Sequence, residues 1–170
     1  VGTAGSVSLV LQSCLLPAAL SRTTTAITVR GGTDVRWSPP IDYLVRVHAR
    51  VAEGFGARCA LEVVSRGFYP EGGGEVRMEV APAGRLRGAS MDRPGDMVGI
   101  RGVAYAQNLP EQVVTRMKHA ALKRLVDFDD VKIESDLRKG RSTGAGIVMV
   151  STLGGCVLGS SALGERGIRA

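Results

Sequence analysis

The chain has 170 residues, of which 44% are hydrophobic and 22% charged, and it carries a formal net charge of +6. That apolar fraction supports a packed core and excludes wholesale disorder, and every apolar run falls far short of the ~20 residues that a membrane span needs. Aromatic residues make up only 4%, so the core must be aliphatic; the positive charge fits a polyanionic partner or ordinary surface charge.

In chain order, residues 3–16 read as a first helix. Val7, Val10, Leu11, Cys14, Leu15 and Ala18 recur at the spacing of one apolar face. Thr3 or Ser6 can cap it, and Pro17 is expected to kink or end it. A short strand over 26–29 follows and closes at Gly31-Gly32. A second helix is predicted from Ser38 as N-cap and Pro39 in its first position. Its stripe is Ile41, Leu44, Val45, His48, Val51, Ala52 and Phe55. Residues 61–66 and 75–80 read as strands, the latter alternating Val76, Met78, Val80 against Glu75, Arg77, Glu79. Between them lies the turn-rich stretch from Gly67 to Gly74.

Residues 82–94, rich in Gly, Pro and Arg, form a candidate boundary. All four lysines of the chain lie beyond it. There the pattern is strand (98–106), helix (110–125), strand (131–135), then a basic loop and two further strands (147–152 and 156–161). Helices and strands interleave, so the fold class is α/β, an α+β sandwich with helices packed on mixed sheets.

Several residues are candidates for chemistry. The small-residue start of the first helix, Gly2 to Ser6, offers free N–H groups to an anion or simply allows close packing. Arg66, Glu71 and Glu75 flank the Gly72-Gly73-Gly74 run and suit a phosphate or metal, or a solvated hairpin turn. His48 lies on an apolar stripe and reads as a buried, hydrogen-bonded core histidine. Arg116, His119 and Lys123 form one helical ridge. With Arg138, Lys139 and Arg141 it can neutralise RNA phosphates or stand as a solvated face. Cys14, Cys59 and Cys156 have no metal-ligand spacing and read as buried reduced thiols. No nucleophile–histidine pairing is visible, and no signal-peptide pattern is present, so the expected location is cytoplasmic.

Three ordered stretches resemble the RNA 3′-terminal phosphate cyclases. They are Thr3-Ala4-Gly5-Ser6-Val7 with Gln12, Gly31-Gly32-Thr33-Asp34 leading to Ser38-Pro39-Pro40-Ile41-Asp42-Tyr43, and Arg66-Gly67-Phe68-Tyr69-Pro70-Glu71-Gly72-Gly73-Gly74-Glu75-Val76. Gly159-Ser160-Ser161 and Leu163 to Gly167 are also similar to that family. The resemblance implies repeated βαβαββ-type units plus a smaller inserted α/β domain. It divides the chain into 1–94, part of the cyclase core, and 95–170, an incomplete insert. It implies ATP-dependent conversion of an RNA 3′-phosphate to a 2′,3′-cyclic phosphate through enzyme–AMP and RNA-adenylate intermediates, with Mg2+ assisting. Gln12 and Pro39 match the family's nucleotide contacts. The nucleophilic histidine would lie beyond Ala170, so the chain is expected to hold no catalytic residue and to be inactive alone, as a fragment that starts at Val1. RNA with a 3′-phosphate end and ATP are the expected partners; oligomeric state stays open. A non-catalytic RNA-binding branch of ribosome biogenesis and, below it, an enolpyruvyl transferase-like enzyme are the alternatives.

Overall fold

The computed structural model describes residues 3–91, 95–165 and 167–168. Val1, Gly2, Pro94, Arg166 and Ala170, which entered the expectations above, lie outside the described residues.

The first helix, α1 (Val7–Ala19), is capped by Ser6, whose Oγ accepts from the Leu9 N–H at 3.2 Å. Val7, Leu11, Leu15, Ala18 and Ala19 are buried along one side. Pro17 does not end the helix. It sits in the last turn on the exposed side, where its missing N–H removes one hydrogen bond and the helix closes at Leu20, which donates to Leu16 O at 3.1 Å.

A three-stranded antiparallel sheet follows, in the order β1 (Thr25–Gly31), β3 (Gly74–Val80), β2 (Cys59–Ser65). Val76, Met78 and Val80 point inward from β3 as the alternation requires, and they meet α1. The opposite face carries Arg30, Glu62, Arg77 and Glu79 and is solvated.

The second helical element starts later than predicted. Ser38 does not cap it; its hydroxyl turns back to Val35 O, and Pro40 takes the cap position. Helix α2 (Ile41–Tyr43) runs through a π-helical turn (Leu44–His48) into α3 (Ala49–Gly54). A π turn adds one residue per turn and rotates the faces that follow. Ile41, Leu44 and Val47 are therefore the buried apolar residues, and His48 is half-buried with no hydrogen bond among the described residues. Ile41 and Leu44 join the core of the three-stranded sheet, while Val47 and Tyr43 pack against the second sheet.

That second sheet has the order β5 (Val131–Arg138), β4 (Met97–Gln107), β6 (Gly144–Leu153), β7 (Cys156–Leu163). Strands β4 and β5 are parallel and joined through α4 (Glu111–Arg124); the other pairs are antiparallel. Val114 of α4 is buried against Ala104, Ala106, Ile133 and Ala145 on one face. The other face, with Val103, Tyr105, Val148 and Val150, receives Val47 and Phe68. Chain segments on both sides of residues 82–94 thus share one core cluster. Of the thiols only Cys156 is buried; Cys14 and Cys59 are half-buried, and all three are free.

Candidate functional site: a convergence of glycine-rich loops

Four loops meet at one end of the two sheets. The start of α1 is tied to the end of β1: Gly32 N donates to Gly5 O at 2.8 Å and Val7 N to Gly32 O at 2.9 Å. Glycine is required at position 32, because a Cβ there would stand 2.5 Å from both Ala4 O and Val35 Cγ1. The β1–α2 loop is tied in turn to the β2–β3 loop. Thr33 N and Asp34 N both donate to Gly67 O, and Gly67 N donates to Thr33 Oγ1. A Cβ on Gly67 would collide with Gly31 O and Gly74 N.

The β2–β3 loop is clamped from its other side by the second sheet. Phe68 N donates to Ser142 Oγ, and Ser142 Oγ donates to Gly72 O, each at 2.8 Å. Gln107, buried at the end of β4, donates from Nε2 to Arg66 O and Ser142 O. Asn108 Nδ2 donates to Gly140 O at 2.7 Å. The ring of Phe68 fills the space beside Gly144.

Beneath these loops lies an ion cluster. Arg66 is 2% exposed and pairs with Asp34 (3.3 Å), Asp42 (2.7 Å) and Asp136 (2.9 Å). Asp42 Oδ2 is close to the guanidinium yet has no aligned hydrogen bond. Tyr105 Oη donates to Asp34 Oδ1 at 2.7 Å. Burial pushes the Asp34 carboxyl up, against the pull of Arg66 and the hydroxyls of Thr33 and Tyr105. Burial would also raise Asp136, but hydrogen bonds from Arg138 and Arg66 overcome it and hold that carboxyl below its ordinary value. The three carboxylates keep Arg66 charged against its own desolvation. Arg66 is thus a structural cation whose hydrogen-bonding capacity is spent on aspartates, and the expectation that it serves a phosphate or metal is not met.

Of the remaining candidates, Glu75 pairs with Arg30 at 2.6 Å on the solvated face, while Glu71 is exposed. Arg116, His119 and Lys123 are all exposed on α4. Pro39 lies against α1, since its carbonyl accepts from Ser8 Oγ at 2.7 Å. Gln12 is one turn beyond Ser8 on the same side of α1 and is half-buried. Gln12 of α1 and Pro39 of the β1–α2 loop, 27 positions apart in sequence, thus lie towards the same side of α1. Tyr105, Asp136, Gln107 and Ser142 were missed. Their own neighbourhoods carry no motif, and only the pairing of β4 with β5 and β6 assembles them.

The family model described as RNA 3′-terminal phosphate cyclase matches residues 1–160. The chain belongs to the RNA 3′-terminal phosphate cyclase family. It is 45% identical over its whole length to the RNA 3′-terminal phosphate cyclase of Archaeoglobus fulgidus, covering 50% of that protein. Cyclases so named from Pyrobaculum neutrophilum and Pyrococcus abyssi are 42% and 37% identical, with 98% of the chain and 49% of each relative covered. The chain spans about half the length of these curated relatives. Among the described residues, no helix is long and apolar enough to cross a membrane. Among the described residues no group of three or more His, Cys, Asp or Glu is placed to hold a metal ion.

Proposed function

We propose that the protein containing this chain is an ATP-dependent RNA 3′-terminal phosphate cyclase, a ligase-type enzyme of the cytoplasm acting on RNA with a 3′-phosphate. The observation that carries this reading is the family match over residues 1–160. In this reading, residues 1–94 belong to the cyclase core and 95–170 to the inserted domain. Gln12 and Pro39 line one side of a nucleotide pocket, the amide offering both a donor and acceptors to a base or ribose edge and the proline ring a flat apolar wall. Attack of an enzyme histidine outside this chain on the α-phosphorus of ATP breaks the α–β bond and releases pyrophosphate. The AMP then passes to the RNA 3′-phosphate, freeing the histidine and giving the terminal phosphorus a good leaving group. Attack by the neighbouring 2′-hydroxyl then closes the cyclic phosphate and expels AMP. Positioning and charge neutralisation suffice for that last step. The chain alone performs no turnover.

The test uses the complete protein with ATP labelled in its α-phosphate and magnesium. An acid-labile AMP adduct that RNA 3′-phosphate discharges, with a 2′,3′-cyclic end as product, is the expected outcome. A folded, complete protein that forms no adduct sinks the reading.

A further inference from the structure

Two of the chain's few aromatic side chains stand almost wholly in water. Trp37 is 96% exposed and Tyr69 is 78% exposed. They project from the β1–α2 loop and the β2–β3 loop, which a bridge between Asp34 and Phe68 holds side by side. Neither residue sits in slack chain. Trp37 is held at φ 65°, a left-handed conformation that costs a non-glycine residue about 1 kcal/mol. It lies between the buried Val35 and Pro40. Tyr69 follows Phe68, whose N–H and ring are fixed by Ser142 and Gly144.

The surroundings are basic. Arg141 runs its aliphatic stem across Gly73, which has φ 82° and no Cβ to obstruct it. Lys139 borders a shallow groove with Asn108, Pro110 and Leu137. Neither Arg141 nor Lys139 forms an ion pair among the described residues, although both are exposed. Arg36, beside Trp37, pairs with Glu165 at 3.2 Å, and Glu71 is the acidic residue of the Tyr69 loop.

Water-exposed rings on rigid loops, with the unpaired cation Arg141 against the Tyr69 loop, match what a single strand of RNA offers: flat base faces and phosphates. We propose that Trp37 and Tyr69 are stacking platforms for the unpaired bases that precede the RNA 3′ terminus, with Arg141, whose stem crosses Gly73 of the Tyr69 loop, neutralising a phosphate beside them. The inference rests on the proposed RNA-end activity and adds to it the path of the strand leading to that end. A ring pair reads stacking and not sequence, so the site accepts any base, purines best.

The test measures binding of a short single-stranded RNA 3′-phosphate to the complete protein by fluorescence anisotropy, without ATP, alongside self-adenylylation. The Trp37→Ala and Tyr69→Ala variants are each expected to weaken RNA binding about tenfold, within the range of base–aromatic stacking. Adenylylation stays at the wild-type rate and Trp37→Phe restores most of the affinity. Independently of any variant, replacing the nucleotides just before the 3′ end by abasic ones weakens binding to the wild type by a similar factor. Equal affinity for abasic and normal RNA overturns the proposal. So does loss of adenylylation in parallel with RNA binding, which would assign the rings to the nucleotide pocket. Protection of Trp37 from acrylamide quenching in the RNA-free protein also overturns it, since the rings would then be covered by the rest of the protein or by a protein partner. A wild type that binds RNA through its bases but forms no adduct leaves the platform standing and removes the cyclase reading.

Discussion

The guanidinium carbon of Arg66 lies 3.9 Å from the ring centroid of Tyr105, and the Tyr105 hydroxyl hydrogen-bonds Asp34, one of the carboxylates that Arg66 pairs with. Arg66 and Asp34 come from the first sheet and its loops, Tyr105 and Asp136 from the second. Their cluster fixes how the two sheets meet beneath the glycine-rich loops. Removing one partner of a buried pair leaves the other uncompensated. Arg66→Met in the complete protein is therefore expected to cost about 3–5 kcal/mol, read from the urea midpoint. Arg66→Lys rescues little of it, because a single ammonium cannot address three carboxylates and stack on the ring. An unchanged midpoint with weakened RNA binding would instead return Arg66 to the role of a phosphate contact.

Tyr105 is held protonated by burial and by the charge of Asp34, which together push its phenol well above the ordinary value. The folded state prefers the neutral phenol. Its contribution to stability is complete below about pH 10 and is lost as pH rises above that unfolded value. Absorbance at alkaline pH should show one tyrosine ionising only with unfolding, and Tyr105→Phe should remove that step. The same substitution takes a donor from buried Asp34 and costs about 1–3 kcal/mol.

His48 is depressed by burial on the π-helical turn. The folded protein then binds fewer protons than the unfolded chain. Stability is full above about pH 6.5 and falls as pH drops through that value towards the lower folded one. His48→Gln should flatten the thermal midpoint between about pH 5 and 7. An identical pH slope in the variant would show that His48 is not the group responsible.

Gly144→Ala drives a methyl into the Phe68 ring, and Gly67→Ala drives one into backbone atoms that cannot yield. Each is expected to destabilise by at least about 1–3 kcal/mol, with Gly67→Ala the worse. Gly88→Ala is the control: its Cβ meets nothing within 4 Å, so its midpoint stays level or rises slightly. Thermal melts of the three variants decide it.

If Gln12 and Pro39 form one wall of the nucleotide pocket, the Gln12→Ala, Pro39→Ala double variant of the complete protein binds ATP about tenfold or more weakly, with an unchanged melting temperature in the absence of ATP. Calorimetric titration with ATP reads the effect directly. Equal affinity in variant and wild type would remove both residues from the pocket.

Periodicity alone located every strand and helix to within a few residues. The alternation of Val76, Met78 and Val80 survives unchanged in β3, because a strand with one wet face must alternate. Where this reading failed, the cause was local backbone geometry that residue type and spacing do not reveal. Ser38 is a good cap by type, but its hydroxyl points back to donate to Val35 O, and the chain turns into the helix only after Pro40. The stripe through His48 assumed 3.6 residues per turn; the π turn broke that count and brought Val47 inward. Pro17 ended no helix because it fell within the final turn, where one lost bond is tolerated.

The sequence by itself determined the alternation of elements, the aliphatic core and the ordered motifs that carry the family resemblance, since these depend on residue types at short spacing. It also marked Gly72 to Gly74 as a run whose backbone can approach a ligand closely or adopt positive φ. Only the tertiary structure decided what Arg66 does. An arginine before a glycine run reads equally as a phosphate or metal contact or as a solvated charge on a turn, and the buried ion cluster is neither. That outcome depends on Asp34, Asp42 and Asp136, up to 70 residues away, and on burial that raises the cost of leaving any of them unpaired.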